Sequence, residues 1–128
     1  MKAKAKILLV EDNPENRYLT TFLLEQAGYA VVSAVDGCQA LEIAAAALPD
    51  LVLLDIEMPG LDGYETAARL KSDCQLAHVP ILGVSSFAMP HERAKAMAQG
   101  FAGYFTKPID PESFPQEIAA YLPFALRP

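Results

Sequence analysis

Apolar residues in this chain come in short continuous runs, and each run ends on polar or acidic residues. "KILLV", residues 6–10, runs into Glu11, Asp12 and Asn13 and predicts a buried strand. Asn13 followed by Pro14 reads as a helix start, a capping side chain and then proline in the first turn. Leu19, Phe22, Leu23 and Ala27 then recur at helical spacing until Gly28 stops the helix. "YAVVSAV", residues 29–35, predicts a second strand. Asp36 and Gly37 turn the chain into a helix carrying Leu41, Ala44, Ala45 and Leu48, which Pro49 and Asp50 end. "LVLLD", residues 51–55, predicts a third strand that closes on a carboxylate, followed by a loop with Pro59, Gly60 and Gly63.

The second half repeats the alternation. An alanine- and leucine-rich helix is predicted over 64–71, and "PILGVSS", residues 80–86, reads as a fourth strand. "PHERAKAMAQG", residues 90–100, reads as a fourth helix stopped by Gly100, and "GYFTKP", residues 103–108, holds a short fifth strand. A fifth helix is predicted over 111–121 with Phe114, Ile118 and Leu122 on one face. Strand–helix repeated five times, with strands one, three and four apolar throughout, implies a parallel sheet covered on both faces, in the α/β class. Right-handed crossovers leave only a few doubly wound topologies. There is no internal repeat or linker, so residues 1–128 form a single domain.

Composition narrows the function. The 128 residues are 52% hydrophobic and 20% charged, which suits a globular domain with a real core. A net charge of −6 argues against a direct nucleic-acid surface. Cys38 and Cys74 have neither metal-type spacing nor a disulfide framework, and read as small apolar side chains in a reducing, cytoplasmic setting. No apolar run is long enough for a signal peptide or a membrane span, so no membrane insertion is expected.

In open α/β sheets the working crevice lies beyond the carboxyl ends of the strands. Asp55 sits at the end of strand three, Glu11 and Asp12 at the end of strand one, Ser85 and Ser86 at the end of strand four, and Lys107 at the end of strand five. Crowded carboxylates repel one another. A hard divalent cation with oxygen ligands, Mg²⁺, offsets that repulsion. A lysine and a hydroxyl opposite the metal suit a transferred phosphoryl group, with Asp55 as nucleophile and an acyl phosphate as product. Each residue also has an ordinary role. Asp55, Glu11 and Asp12 can cap turns or helices, Lys107 can be a solvated charge, and Ser85 a strand-end residue. Their convergence on one rim is what favours a site. Asp62 and Gly63 read as helix-start chemistry, and His78 and His91 as surface residues.

"LLVEDN", "LVLLDIEMPGLDG", "PILGVSSFAM" and "YFTKPI", in that order and spacing, resemble a response-regulator receiver domain, the phosphoacceptor half of two-component signalling. The resemblance runs from Lys6 to about Leu122 and is most like stand-alone cell-cycle or chemotaxis receivers and hybrid-kinase receivers. It implies a flavodoxin-like strand order 2-1-3-4-5 with five helices. It implies Asp55 as the phosphorylation site, with Glu11, Asp12 and the backbone carbonyl of Glu57 around Mg²⁺. It further implies Ser85 as switch hydroxyl, Tyr104 as switch aromatic, Lys107 as phosphate-binding lysine and a cis peptide between Lys107 and Pro108. The implied partners are a histidine kinase or histidine phosphotransfer protein upstream and a protein partner downstream, on the face of helix four, strand five and helix five. Such a protein is not an enzyme beyond its own phosphorylation and dephosphorylation. Two departures stand out: Ser85 replaces the commoner threonine, and Ser86 stands where alanine is usual.

Two other classes fit less well. An aspartyl-nucleophile phosphatase needs a second acid two residues on for acid–base work, in an Asp-x-Asp pattern, and this chain has Glu57 followed by Met58. A flavin-binding carrier needs a Ser-, Thr- or Gly-rich phosphate loop after strand one, and "EDNPEN" is acidic. No output domain follows the fifth helix in this sequence, which leaves open a stand-alone regulator or a receiver from a longer chain.

Overall fold

A computed structural model describes residues 4–57, 62–86 and 89–127. The loop holding Pro59 and Gly60, and Phe87 and Ala88 after the fourth strand, lie outside the described residues. The elements alternate as the apolar runs predict: β1 (Lys6–Val10), α1 (Pro14–Gln26), β2 (Ala30–Ala34), α2 (Gly37–Ala47), β3 (Leu51–Asp55), α3 (Gly63–Ser72), β4 (Ile81–Ser85), α4 (Pro90–Ala98), β5 (Gly103–Thr106) and α5 (Phe114–Ala119), then a 3₁₀ turn at Phe124–Leu126. The five strands form one parallel sheet in the order β2-β1-β3-β4-β5.

The two faces of the sheet carry separate cores. Leu8, Val10, Val52, Leu54, Ile81 and Tyr104 pack with Ala40 and Ala44 of α2, Ala67 and Leu70 of α3, and Ala96 of α4. Ile7, Leu9, Leu51, Leu53, Leu82 and Val84 pack with Leu24 of α1 and with Phe114 and Ile118 of α5. Alternation along each strand makes this division. β3 and β4 are buried at every position, as strands covered on both faces must be, whereas the edge strands β2 and β5 are partly open.

Helix ends follow local chemistry. Asn13, Asp36 and Asp62 each cap a helix, accepting from the N–H of Asn16, Gln39 and Glu65 at 3.0, 2.8 and 2.8 Å. Three details differ from the periodicity. Leu24 is the buried residue of α1, while Leu19 and Phe22 are 58% and 52% exposed. Leu48 is not in α2; it is the C-cap, in the left-handed region at φ 49°. α5 covers only Phe114–Ala119, because Ser113 makes no side-chain cap and residues 111–113 form a turn; the predicted face of Phe114, Ile118 and Leu122 is buried all the same. Cys38 and Cys74 are both exposed rather than packed as small apolar side chains.

Gly63 lets α3 start directly against the end of β3. A Cβ there would stand 2.6 Å from the Ile56 Cα and 3.1 Å from the Asp55 carbonyl oxygen, both backbone. Neither atom can yield without moving the strand end. Gly63→Ala is therefore expected to destabilise the fold by about 1–3 kcal/mol, as overpacking does. Urea denaturation measures this, and an unchanged midpoint would contradict the close approach.

Candidate functional site

The register of the sheet assembles the site. Val10 pairs with Leu54, so Glu11 and Asp55, each one residue further, arrive side by side. Asp55 pairs with Val84, and Ser85 with Thr106, so Ser85 and Lys107 complete the same rim. Every sequence-predicted site residue at a strand end thus converges. Glu11, Asp12 and Asp55 each offer a carboxylate oxygen, all within 4.8 Å of one another. Glu11 and Asp55 are buried and Asp12 is exposed, which leaves the cluster open on one side.

Lys107 reaches into this cluster. Its Nζ lies 3.1 Å from Asp55 Oδ2 and 3.6 Å from Glu11 Oε1. The Lys107–Pro108 peptide is cis, as the resemblance implied. The other Asp55 oxygen, Oδ1, accepts the Glu57 N–H at 2.9 Å. Arg17 Nη1 donates to the Glu11 carbonyl at 3.0 Å and ties α1 to the end of β1.

The charges divide unequally. Burial pushes the Glu11 carboxyl up to about 7, helped by hydrogen bonding to and repulsion from Asp55 and only partly offset by Lys107. Burial would raise Asp55 too, but its hydrogen bonds with Glu11 and the Glu57 N–H and the charge of Lys107 outweigh it and hold Asp55 below its ordinary value. Burial lowers Lys107, yet Asp55, Glu11 and Glu57 overcome that and raise it. At neutral pH the site therefore presents an ionised Asp55 against a protonated lysine, beside a glutamate that resists ionisation.

The donor set fits Mg²⁺. Glu11 Oε2 is buried without a hydrogen-bond partner among the described residues. A buried carboxylate oxygen left bare beside two further carboxylates is what a hard cation satisfies.

Two residues add detail to the expected site. Tyr104 is only 7% exposed, already packed inward with Phe101, Val79 and Ala96 on the α4 side of the sheet. It pairs with Gly83, two residues before Ser85, so alternation puts Tyr104 and Ser85 on the same face. Glu57, for which only the backbone carbonyl was expected to matter, instead places its carboxylate against Ser85 and Ser86. An acid two residues past Asp55 was visible in the sequence, but its reach to the end of β4 was not. The exposed apolar residues Leu19 and Phe22 of α1 border a cleft lined also by Asp55, Lys107 and Pro108, and Tyr18 is exposed on the same helix.

Known proteins resemble this arrangement throughout. The family model described as the response regulator receiver domain matches residues 7–119. The polar-differentiation response regulator DivK of Brucella anthropi is 36% identical over 116 residues, covering 91% of this chain and 94% of DivK. The structure of the Vibrio cholerae chemotaxis protein CheY4 superposes with a TM-score of 0.89 at 32% identity, covering 94% of this chain and all of that one. The receiver domain of a sensor histidine kinase from Pseudomonas aeruginosa, with a magnesium ion coordinated in its active site cleft, superposes with a TM-score of 0.85 at 30% identity, covering 93% of this chain and 98% of that one.

Proposed function

The chain belongs to the response regulator receiver family, and we propose that it acts there as the phosphoacceptor of a two-component phosphorelay, with Asp55 as the residue that carries the phosphoryl group. The contact that carries this reading is Lys107 Nζ at 3.1 Å from Asp55 Oδ2, on a rim where three carboxylates meet. An Asp55 oxygen attacks the phosphorus of a phosphohistidine, the P–N bond breaks, and the imidazole leaves with a proton drawn from solvent. Lys107 holds the nucleophile now and pairs with phosphoryl oxygens afterwards. Glu11, Asp12 and Asp55, with the Glu57 carbonyl, are the proposed Mg²⁺ ligands; when bound, the ion offsets negative charge on the transferred group. Beyond its own phosphorylation and dephosphorylation the chain is proposed to turn over no substrate.

The proposed donor is a histidine kinase or histidine phosphotransfer protein, docked over α1, because the exposed Leu19 and Phe22 border the cleft that leads to Asp55. A donor charged from ATP puts the exchange in the cytoplasm. No helix among the described residues is long and apolar enough to cross a membrane. Incubation with acetyl phosphate and Mg²⁺ should add one phosphoryl group, and a chain that stays unlabelled under conditions that label a related receiver would overturn the reading.

Output is proposed to run from Ser85 through Tyr104 to the face of α4, β5 and α5. α4 is held by little: Ala96 is its buried residue, with Arg93 bonded to the Tyr104 carbonyl at 3.3 Å and Lys95 over the Tyr64 ring. Since Tyr104 is already inward, the phosphoryl group would stabilise that packing rather than create it, as a population shift. A hydrogen bond to a charged group is worth about 1.5–3 kcal/mol, roughly ten- to a hundredfold in a balanced equilibrium. Ser85→Ala should still accept phosphate on Asp55 but lose most of the beryllium-fluoride-induced NMR shifts at Tyr104 and along α4. Shifts equal to the parent's would show that the coupling bypasses this hydroxyl.

A further inference from the structure

The Glu57 carboxylate is held by donors from the end of β4. Its Oε1 accepts from Ser85 Oγ at 2.9 Å and from Ser86 Oγ at 2.7 Å, and also from the Ser86 N–H in a short contact. Its Oε2 accepts from Ser86 Oγ at 2.8 Å. Hydroxyl, hydroxyl and backbone N–H around one anionic oxygen form the kind of donor set that an equatorial phosphoryl oxygen needs. Glu57 itself is exposed and belongs to no strand or helix, and among the described residues these are the hydrogen bonds that hold its side chain. Ser85, by contrast, is 1% exposed at the end of β4, and the donors it and Ser86 present are set by the strand.

We propose that Glu57 is a tethered competitor for the phosphoryl group: in the unphosphorylated chain its carboxylate occupies the Ser85 and Ser86 donors, and a phosphoryl group on Asp55 must displace it to engage them. The proposal rests on Asp55 being the phosphoacceptor. Two anions cannot share one donor set at close range, so displacement is obligatory rather than gradual. Ser86 supplies both its N–H and its hydroxyl, so the serine that stands where receivers usually carry alanine is what makes the seat deep. The consequence is a threshold: only the fraction of molecules with Glu57 released offers its switch hydroxyl, and apparent affinity for the phosphoryl group falls by that fraction.

Beryllium fluoride, the aspartyl-phosphate mimic, tests this with Mg²⁺ saturating and the Ser85 and Ser86 amide signals as readout. The variants are Glu57→Asp, Glu57→Gln and Ser86→Ala; none removes the Glu57 backbone carbonyl. Glu57→Asp keeps the charge but withdraws the carboxylate by one methylene, and should tighten binding about tenfold if the seat is filled nine times in ten. Ser86→Ala keeps Glu57 whole and removes half its seat, and should tighten binding severalfold. If Glu57→Gln tightens binding while Glu57→Asp matches the parent, Glu57 acts through charge alone and the competitor is overturned. A weaker affinity in Ser86→Ala overturns it as well, because Ser86 would then serve the phosphoryl group and not Glu57. A parent that binds no beryllium fluoride at all removes the phosphoacceptor reading and the competitor with it. A parent that binds, with all three variants unchanged, removes the competitor only.

Discussion

Asp55→Asn is expected to abolish phosphorylation by acetyl phosphate in Mg²⁺, leaving a protein as folded as the parent. Among the described contacts of the site carboxylates, only those of Asp55 put one oxygen on Lys107, at 3.1 Å, and the other on a backbone N–H, at 2.9 Å. Those contacts keep it ionised despite burial, which a nucleophile requires. Glu11 sits close by, but burial and Asp55 push it to about 7 and its Oε1 is further from the lysine, at 3.6 Å. Glu57 is ionised but bound to Ser85 and Ser86. Asparagine keeps the shape of Asp55 and removes the nucleophilic oxygen pair, so intact-mass spectrometry should detect no added phosphoryl group. Label that persists, and maps to Glu11 or Glu57, would move the phosphoacceptor off Asp55.

The convergence of these residues was legible because the apolar runs stop at them. "KILLV" ends at Glu11, "LVLLD" at Asp55, "PILGVSS" at Ser85, and a parallel sheet brings such ends to one edge whatever the strand order. Periodicity was less informative about α1. It groups Leu19, Phe22 and Leu23 on one face but cannot say whether the rest of the chain covers that face, and here Leu19 and Phe22 stay exposed. Tyr104 could be located but not its rotamer, since an aromatic beside a strand end packs inward or outward by tertiary contacts alone. The Glu57 carboxylate was hidden for a related reason. Its partners lie on another strand, and only the β3–β4 register, with Asp55 opposite Val84, brings Ser85 and Ser86 within reach.

Removing either metal-site acid should cost function and raise stability at once. Glu11→Gln and Asp12→Ala are each expected to lose Mg²⁺ binding and phosphorylation together, since an open site with few protein ligands cannot spare one. Their effect on metal-free stability follows from charge. Glu11 has its pKa raised in the fold, from 4.5 to about 7, so the folded chain holds a proton that the unfolded chain gives up sooner. The contribution is fully present below pH 4.5 and is lost as pH rises through about 7. Metal-free parent should therefore weaken across that window, by on the order of 3 kcal/mol at about 1.4 kcal/mol per pH unit, because the lowered Asp55 exchanges its proton below pH 3.8 and does not offset the loss there. Glu11→Gln cannot ionise, so its urea midpoint should exceed the parent's at pH 8 and approach it at pH 4.5. Saturating Mg²⁺ should reverse the ranking at pH 8, because the ion stabilises only the chain that binds it. A parent whose metal-free stability is flat from pH 4.5 to 8, or a Glu11→Gln chain that gains stability from Mg²⁺ as the parent does, would show that Glu11 carries neither the strain nor the ion.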